Sequence, residues 1–538
     1  MEFDFVIVGA GSAGCVLANR LSADSRHRVA LVEAGGPDRN PWIHIPIGYF
    51  KTMGNPSTDW CFQTSPDPGL NGRSIPWPRG KVLGGSSSIN GLLYVRGQCQ
   101  DYDNWRQFGN RGWSWDDVLP YFKRSETWTG NSVDCPERGT DGPLIVSPMR
   151  LRLQVVDLWM EAATNAGYRK NPDYNSLDQE GVGFFQQTAS RGRRCSTAVA
   201  YLKPARKRPN LTIFTHTRTR RLEFRDGRVV GVAARRKGSS EEIELRARRE
   251  VVLSAGSIGS PQILMLSGIG DGAELAEQGI SVHTELAGVG KNLQDHLQAR
   301  PVYRTNLPTI NTEIDNPVKQ ALIGMRYVLT RRGPMTMAAS LGTGFLKTRP
   351  ELETPDIQFH VQPFSADSPG QMVHPFSAFT ASVLQLRPES TGRICLRSAN
   401  PEDSPAIHPN YLATETDQRI IVEGIRIARR IARHEPLKSH ITEEYSPGSE
   451  IGDDDDAGLL DWARETATTI YHPTGTCKMG PDGDAMAVVD ERLRVHGVRG
   501  LRVADASIMP RIVSGNTNAP AIMIGEKASD LILEDMRG

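Results

Sequence analysis

The sequence predicts an α/β fold, α+β overall: a Rossmann-like dinucleotide-binding domain joined to a second domain of antiparallel sheet plus helices. Three observations predict it. The chain opens as strand, glycine turn, helix and strand within its first 35 residues. A second apolar run, Glu250 to Leu253, meets another glycine turn at Ala255-Gly256. Residues 300 to 410 instead alternate short strand patterns with long loops, as antiparallel sheet does.

The opening element sets the chemistry. Phe3 to Val8 is a short apolar run of the kind buried on both faces. Gly9, Gly11 and Gly14 follow in the G-x-G-x-x-G spacing. The first allows a tight turn, the second lets a pyrophosphate approach the backbone, and the third lets helix and sheet pack closely. The helix N-terminus offers free N–H groups to phosphate. Glu33 closes the second strand, where a carboxylate can take both ribose hydroxyls of an adenosine. That acid disfavours a 2′-phosphate, and the motif alone leaves NAD and FAD open.

Residues 36 to 78 are rich in Pro, Gly, Asn and Trp and have little periodicity. An ordered loop of that length reads as a cover over the cofactor, anchored by Trp42, Trp60, Phe62 and Trp77. Gly80 to Gly91 carries two adjacent glycines and three serines, which suits close passage of backbone along a ring or a phosphate. Residues 101 to 127 and 151 to 168 read as helices. Residues 209 to 253 read as a β-meander from Leu211 onward, with a turn at Asp226-Gly227, and a helix is expected from Pro261 to Gly268. Residues 417 to 433 form an amphipathic helix whose arginines, Arg429 among them, read as a solvated face; a membrane-facing role stays open as peripheral association. Asp453 to Asp456 read as a helix cap. Cofactor-type sequence then returns at Tyr471 to Gly480, Leu501 to Ser507 and Gly515 to Pro520.

Composition narrows the class. With 538 residues and a formal net charge of +1, the chain has several domains' worth of core and no basic field to gather nucleic acid. Seven cysteines without a C-x-x-C pair make a disulfide framework or a zinc site improbable, and no metal is expected. The first strand begins at once, leaving no room for a signal peptide, and no run of about eighteen apolar residues occurs. A cytoplasmic protein with no transmembrane segment is expected.

At this point the motifs identify a family. Gly80 to Asn90, Gly256 to Gly270, Gly290-Lys-Asn-Leu-Gln-Asp-His296, and the regions around 472 and 516 resemble, in order, the signatures of the glucose–methanol–choline flavin oxidoreductases. The likeness covers essentially the whole chain and is nearest to choline-dehydrogenase-like and bacterial alcohol-dehydrogenase-like members. It implies FAD. It also implies a discontinuous FAD-binding domain (1–160, 195–298 and 465–538) and a substrate-binding domain (161–194 and 299–464). Gly9, Gly11, Ser12, Ala13, Gly14, Glu33 and Ala34 fall to the adenosine diphosphate, and Thr219 to adenine. Val82, Gly84, Gly85, Ser86, Asn90, Gly91 and Leu92 fall to the pyrophosphate and flavin. Ala255, Gly256, Asp505, Ala506 and Asn518 complete the cofactor site. Ile89 stands where some members bind FAD covalently through histidine, so non-covalent FAD is expected. Leu341 stands in the loop where, by the resemblance, choline-oxidising relatives carry an acid, which argues against choline.

Oxidising an alcohol at a flavin needs a base for the hydroxyl proton and an acceptor for the hydride. A histidine titrates near neutrality and can take the proton. The resemblance implies a His–Asn or His–His pair facing the flavin ring at two positions, which here are His472, read as general base, and Asn516, read as its oxygen-binding partner. His296 reads as a packed residue of its motif and Cys477 as a packed thiol. The expected activity is oxidation of a primary alcohol to an aldehyde, with hydride transfer to flavin N5. Oxygen or a quinone-type acceptor would reoxidise the flavin. The alternatives on this fold are a cyanohydrin-type lyase and a fatty-acid photodecarboxylase. Residues 330 to 345 and the strand bearing Phe359, His360 and Gln362 are expected to wall the substrate pocket; Met335, Met337 and Leu341 hint at an apolar alcohol.

Overall fold

The computed structural model describes residues 1–130, 135–367 and 371–537. Its first sheet has seven strands. Five are parallel, in the order Leu211–Phe214, Val29–Val32, Glu2–Val8, Glu242–Leu253 and Leu501–Val503. Phe5, Val6 and Ile7 are fully buried, because helices cover both faces of a parallel sheet. The twelve-residue strand Glu242–Leu253 does two jobs. Its last residues pair in the parallel sheet, while Glu242 to Arg246 pair antiparallel with Arg228–Arg236, which pairs in turn with Thr217–Arg225. Asp226 and Gly227 both take positive φ, 52° and 69°, as a two-residue hairpin turn requires.

Two expectations need correction here. Leu211–Phe214 is not a meander strand; it extends the parallel sheet beyond Val29–Val32. Alternation alone could not distinguish the two placements. The helix expected from Pro261 begins at Gly256 and runs to Leu266. Asp505 Oδ2 accepts from Gly256 N (2.8 Å) and Ser260 Oγ accepts from Ala255 N (3.1 Å), so the earlier start is capped. Pro261 lacks the N–H that would reach the Ser257 carbonyl, and Thr476 Oγ1 donates to that carbonyl instead, at 2.7 Å.

The second sheet has eight strands, all paired antiparallel. Ala378–Gln385 is its centre, with every residue buried. Ile357–Gln362, Gly342–Leu346 and Gly181–Phe184 follow on one side; Val302–Thr305 and Ile441–Ser446 lie on the other. Leu297–Ala299 pairs with the far end of Ala378–Gln385 and carries Thr468–Thr469. The helix Glu415–Ala432 packs on this sheet so closely that a Cβ at Gly424 would lie 2.7 Å from Val383 Cγ2. Arg429 is not on a solvated face: it is 2% exposed and pairs with Glu444 (2.7 Å) and Asp453 (2.9 Å). Within the acidic run only Asp455 caps the next helix, accepting from Gly458 N. Asp453 serves the arginines instead.

The segment 36 to 78 contributes short helices at Pro41–His44 and Tyr49–Thr52 and a two-residue hairpin pairing Phe62 with Trp77. Phe62 and Trp77 are buried and Trp60 is partly so, but Trp42 is 38% exposed and anchors nothing. Among the described residues no helix is long and apolar enough to cross a membrane.

The first and last helices, Ser12–Leu21 and Asn518–Asp535, pack backbone to backbone. A Cβ at Gly525 would sit 2.9 Å from the Ala13 carbonyl oxygen. Glu526, fully buried, receives Arg20 (2.7 Å), Arg124 (2.8 Å) and the Tyr201 hydroxyl (2.8 Å). Removing that carboxylate leaves the buried Tyr201 hydroxyl without its acceptor, while the Arg20 and Arg124 side chains, 29% and 36% exposed, keep water. Glu526→Ala should therefore lower stability by roughly 1–3 kcal/mol, the usual cost of leaving a buried polar group unsatisfied. The measurement is the shift of the urea unfolding midpoint.

Candidate active site

One cavity of about 830 Å³ touches Gly11, Glu33 and Thr219 at one end and His472 and Asn516 at the other. At the first end, Gly9 takes φ +99°, and a Cβ there would lie 2.4 Å from the Ser254 carbonyl oxygen. A Cβ on Gly14 would lie 1.9 Å from the Gly9 carbonyl oxygen. Gly11 differs: its Cβ would meet no protein atom closer than 3.9 Å, because the space beside it is cavity. A phosphate can occupy that space against bare backbone. Ser12 and Ala13 continue the wall, and Ser12 Oγ donates to Asn518 Oδ1 at 2.7 Å.

Glu33 is 6% exposed. Its Oε2 accepts from Ala10 N (2.9 Å) and its Oε1 from Gly35 N (2.7 Å), so the carboxylate is pinned facing the cavity beside Ala34. Burial pushes its pKa up to about 7, against those two N–H groups. Thr219 lines the same end and has a buried hydroxyl without a partner.

The second glycine loop lies on the first. Gly84 N donates to Ala10 O at 2.8 Å, and a Cβ on Gly85 would lie 2.7 Å from Gly11 Cα. Gly85, Ser86, Asn90 and Gly91 reach the cavity, as do Ala255, Gly256, Asp505 and Ala506. Gly14, Val82, Gly84 and Leu92 stand behind the wall instead. Val82 packs with Ile43 and Ile89, and Leu92 is fully buried at φ +65°. The segment 36 to 78 supplies much of one side through Tyr49, Phe50, Met53 and Trp60.

At the other end the geometry is built from four segments. Asp295 Oδ1 accepts from the backbone N of His472 at 2.7 Å, while its Oδ2 takes the hydroxyls of Tyr411 and Thr469. Ser257 Oγ donates to Pro473 O at 2.7 Å. Tyr471 is held at φ +70°, a conformation a bulky side chain enters only under constraint. These contacts aim the His472 ring.

Its protonation follows from its partners. His296 Nε2 lies 2.8 Å from the Leu386 carbonyl, which can only accept, so that nitrogen carries the proton. Burial lowers the His296 pKa to about 4, so the ring is neutral and its Nδ1 is bare. His472 Nδ1, 3.0 Å away, must then be the donor. Burial holds His472 well below the usual histidine range, and the nearness of His296, His360 and the Arg79 guanidinium adds to it, so it too is neutral. Its Nε2 therefore carries no proton and accepts from Asn516 Nδ2 at 3.0 Å. Asn516 Oδ1 is buried without a partner. An alcohol entering between His472 and Asn516 can take over their bond, donating its hydroxyl to His472 Nε2 and accepting from Asn516 Nδ2.

Sequence reading missed His296. It packs within its motif, but it also sets the tautomer of His472 across 176 residues. The substrate wall differs as well. His360 and Gln362 line the cavity, whereas Phe359, one residue out of phase on the strand, points into the core. Of residues 330 to 345 only Ala339 is on the wall among the described residues. Met337 and Leu341 are fully buried away from it, so they say nothing about substrate polarity or choline. The wall carries Arg79, Gln298, Arg300 and Tyr471 instead.

The models of the GMC oxidoreductase family match residues 3–298 and 388–525. The chain is 42% identical over 533 residues to an alcohol dehydrogenase [acceptor] of Pseudomonas putida, covering 99% of this chain and 96% of that one. It is 43% identical over 533 residues to an oxygen-dependent choline dehydrogenase of Brucella anthropi, with the same coverage. A solved structure of Aspergillus oryzae formate oxidase, made to examine FAD modification, matches with a TM-score of 0.91 at 28% identity, covering 100% of this chain and 99% of that chain.

The residues present fit FAD: a phosphate-sized gap at Gly11, a buried acid for ribose at Glu33, and a cavity leading to the histidine. Glu33 gives the fit a pH signature. Because its pKa is raised to about 7, lower pH protonates it and would remove an acceptor from a ribose held there. FAD affinity of the apoprotein should fall as pH drops below about 7, approaching tenfold per unit, and Glu33→Gln should flatten the dependence. Quenching of FAD fluorescence on binding measures both.

Proposed function

The chain belongs to the GMC oxidoreductase family, a flavoprotein oxidoreductase with FAD as its cofactor and a CH–OH donor as its substrate, and on that premise we propose that it oxidises a primary alcohol to the aldehyde with His472 as general base. The observation that carries this reading is the unprotonated His472 Nε2, which accepts from the Asn516 amide at 3.0 Å. FAD, when bound, supplies the acceptor for the hydride, at flavin N5 in this reading. The protein's residues do the rest. Asn516 Nδ2 holds the alcohol oxygen, His472 Nε2 takes its proton, and the Nδ1 proton of His472 stays on or moves toward His296. The similarity to alcohol and choline dehydrogenases favours oxidation over the cyanohydrin-lyase and photodecarboxylase readings.

We divide the chain into an FAD-binding domain, 1–160, 195–298 and 465–538, and a substrate-binding domain, 161–194 and 299–464. We assign the protein to the cytoplasm, since all seven cysteines are free. Its electron acceptor is oxygen or a quinone. Peripheral contact with a membrane is supported by the helix Pro317–Thr330, which leaves Val318, Leu322, Met325, Val328 and Leu329 more than half exposed.

Three measurements test the reading. In anaerobic stopped-flow, His472→Ala should slow flavin reduction by alcohol roughly 10²- to 10⁴-fold; an unchanged rate removes His472 from the reaction. Because the His472 pKa is lowered, the acid limb of kcat/KM should lie below pH 6.5, leaving activity level through that value. Ile89 offers no nucleophile, so acid precipitation should release all the flavin into the supernatant as FAD.

A further inference from the structure

Among the described residues three arginines line the cavity, and two are accounted for. Arg218 pairs with Glu402 at 3.2 Å. Arg79 donates to the carbonyls of Pro78 and Tyr471, both at 2.6 Å. Arg300 is different. It sits between the strands Leu297–Ala299 and Val302–Thr305, is 7% exposed, and has a buried Nη2 with no partner. No hydrogen bond or ion pair of its guanidinium occurs among the described residues. The polar groups facing it are the phenols of Tyr471 and Tyr49, and the Tyr49 hydroxyl is itself buried and unpartnered.

An arginine does not shed its proton to relieve such a position, and an uncompensated buried charge is among the costliest arrangements a protein can hold. Burial pushes even this guanidinium's pKa downward, with no neighbouring carboxylate to offset it. The neighbouring wall repeats the pattern without charge: Gln298 Oε1, Gln362 Oε1 and His360 Nε2 face the cavity and are also unpartnered. The missing partner is an anion that arrives from the cavity. A planar guanidinium and a phenol hydroxyl match a carboxylate, which can accept from both at once. Tyr471 immediately precedes His472, so this anion would lie near the reacting alcohol. The glycine-lined phosphate cradle is formed by other residues.

We propose that the substrate is a hydroxy acid, its carboxylate held by Arg300 and Tyr49 while its carbinol faces His472 and Asn516. This rests on the reading of His472 and Asn516 as the alcohol site. It also replaces the apolar substrate suggested by Met335, Met337 and Leu341.

The test uses the FAD-loaded enzyme and matched substrates. 4-(Hydroxymethyl)benzoate is compared with its methyl ester, and 4-hydroxybutyrate with 1,4-butanediol, by kcat/KM with an artificial acceptor. The acid should exceed its neutral partner by about tenfold or more. Arg300→Met should bring that ratio toward one, and Arg300→Lys should restore part of it. Independently of turnover, benzoate should perturb the flavin absorbance saturably, with its Kd rising about tenfold or more in Arg300→Met. Equal kcat/KM for acid and ester, together with a spectrum indifferent to benzoate, overturns the proposal. So does a preference for 4-(hydroxymethyl)phenyl phosphate over the carboxylate. So does loss of FAD from Arg300→Met, which would make Arg300 a cofactor residue. If benzoate binds through Arg300 yet no alcohol bleaches the flavin, the anion site stands and the oxidation reading fails.

Discussion

An imidazole can accept a proton only where a ring nitrogen is unprotonated and aimed, and here that condition is met by a line of hydrogen bonds through four separate segments. It starts at the Leu386 carbonyl, just past the central strand of the antiparallel sheet, passes through His296 and His472, and reaches Asn516 just before the final helix. Every link has one allowed direction. A carbonyl cannot donate and an amide nitrogen cannot accept, so the two ends dictate the tautomers between them. Neutrality of both rings is the other requirement, and burial supplies it. The two sheets must therefore dock in one register for the base to exist.

The cavity is chemically lopsided. Its glycine end presents backbone and one pinned carboxylate, suited to phosphates and a ribose. Its other end presents unpartnered amides, an imidazole, a phenol and a guanidinium. Stability alone would not select that second set, because each carries a buried polar atom that loses water on folding and finds no partner in the protein. Its retention makes sense if another molecule completes the bonds.

The parts legible in the sequence were those where local geometry dictates residue type. Gly9, Gly11 and Gly14 each meet a backbone or an open gap that excludes a side chain or leaves room for a ligand, so their spacing carries information. The alternating strands of the second sheet were legible for a similar reason. His472 and Asn516 were legible only through family resemblance, since nothing local marks one histidine among twelve. The His296 contact and the isolation of Arg300 were not legible. Both depend on which distant segments pack together, and an arginine at a strand end ordinarily reads as solvated. Apolar spelling misled at Met337 and Leu341, which fill the core behind the wall. Pro261 misled because a threonine 215 positions later in the chain takes over the carbonyl it leaves unbonded.

The contact of Ser12 with Asn518, and of Ala13 with Gly525, has a consequence for how the enzyme is made. A ribosome delivers the phosphate-binding turn 506 residues before the helix residue that it bonds. Until that helix is made, the opening βαβ unit has no cover for one face of its own helix and lacks part of the wall for its ligand. Cofactor loading therefore waits on a segment distant in the chain from the turn that receives the phosphates.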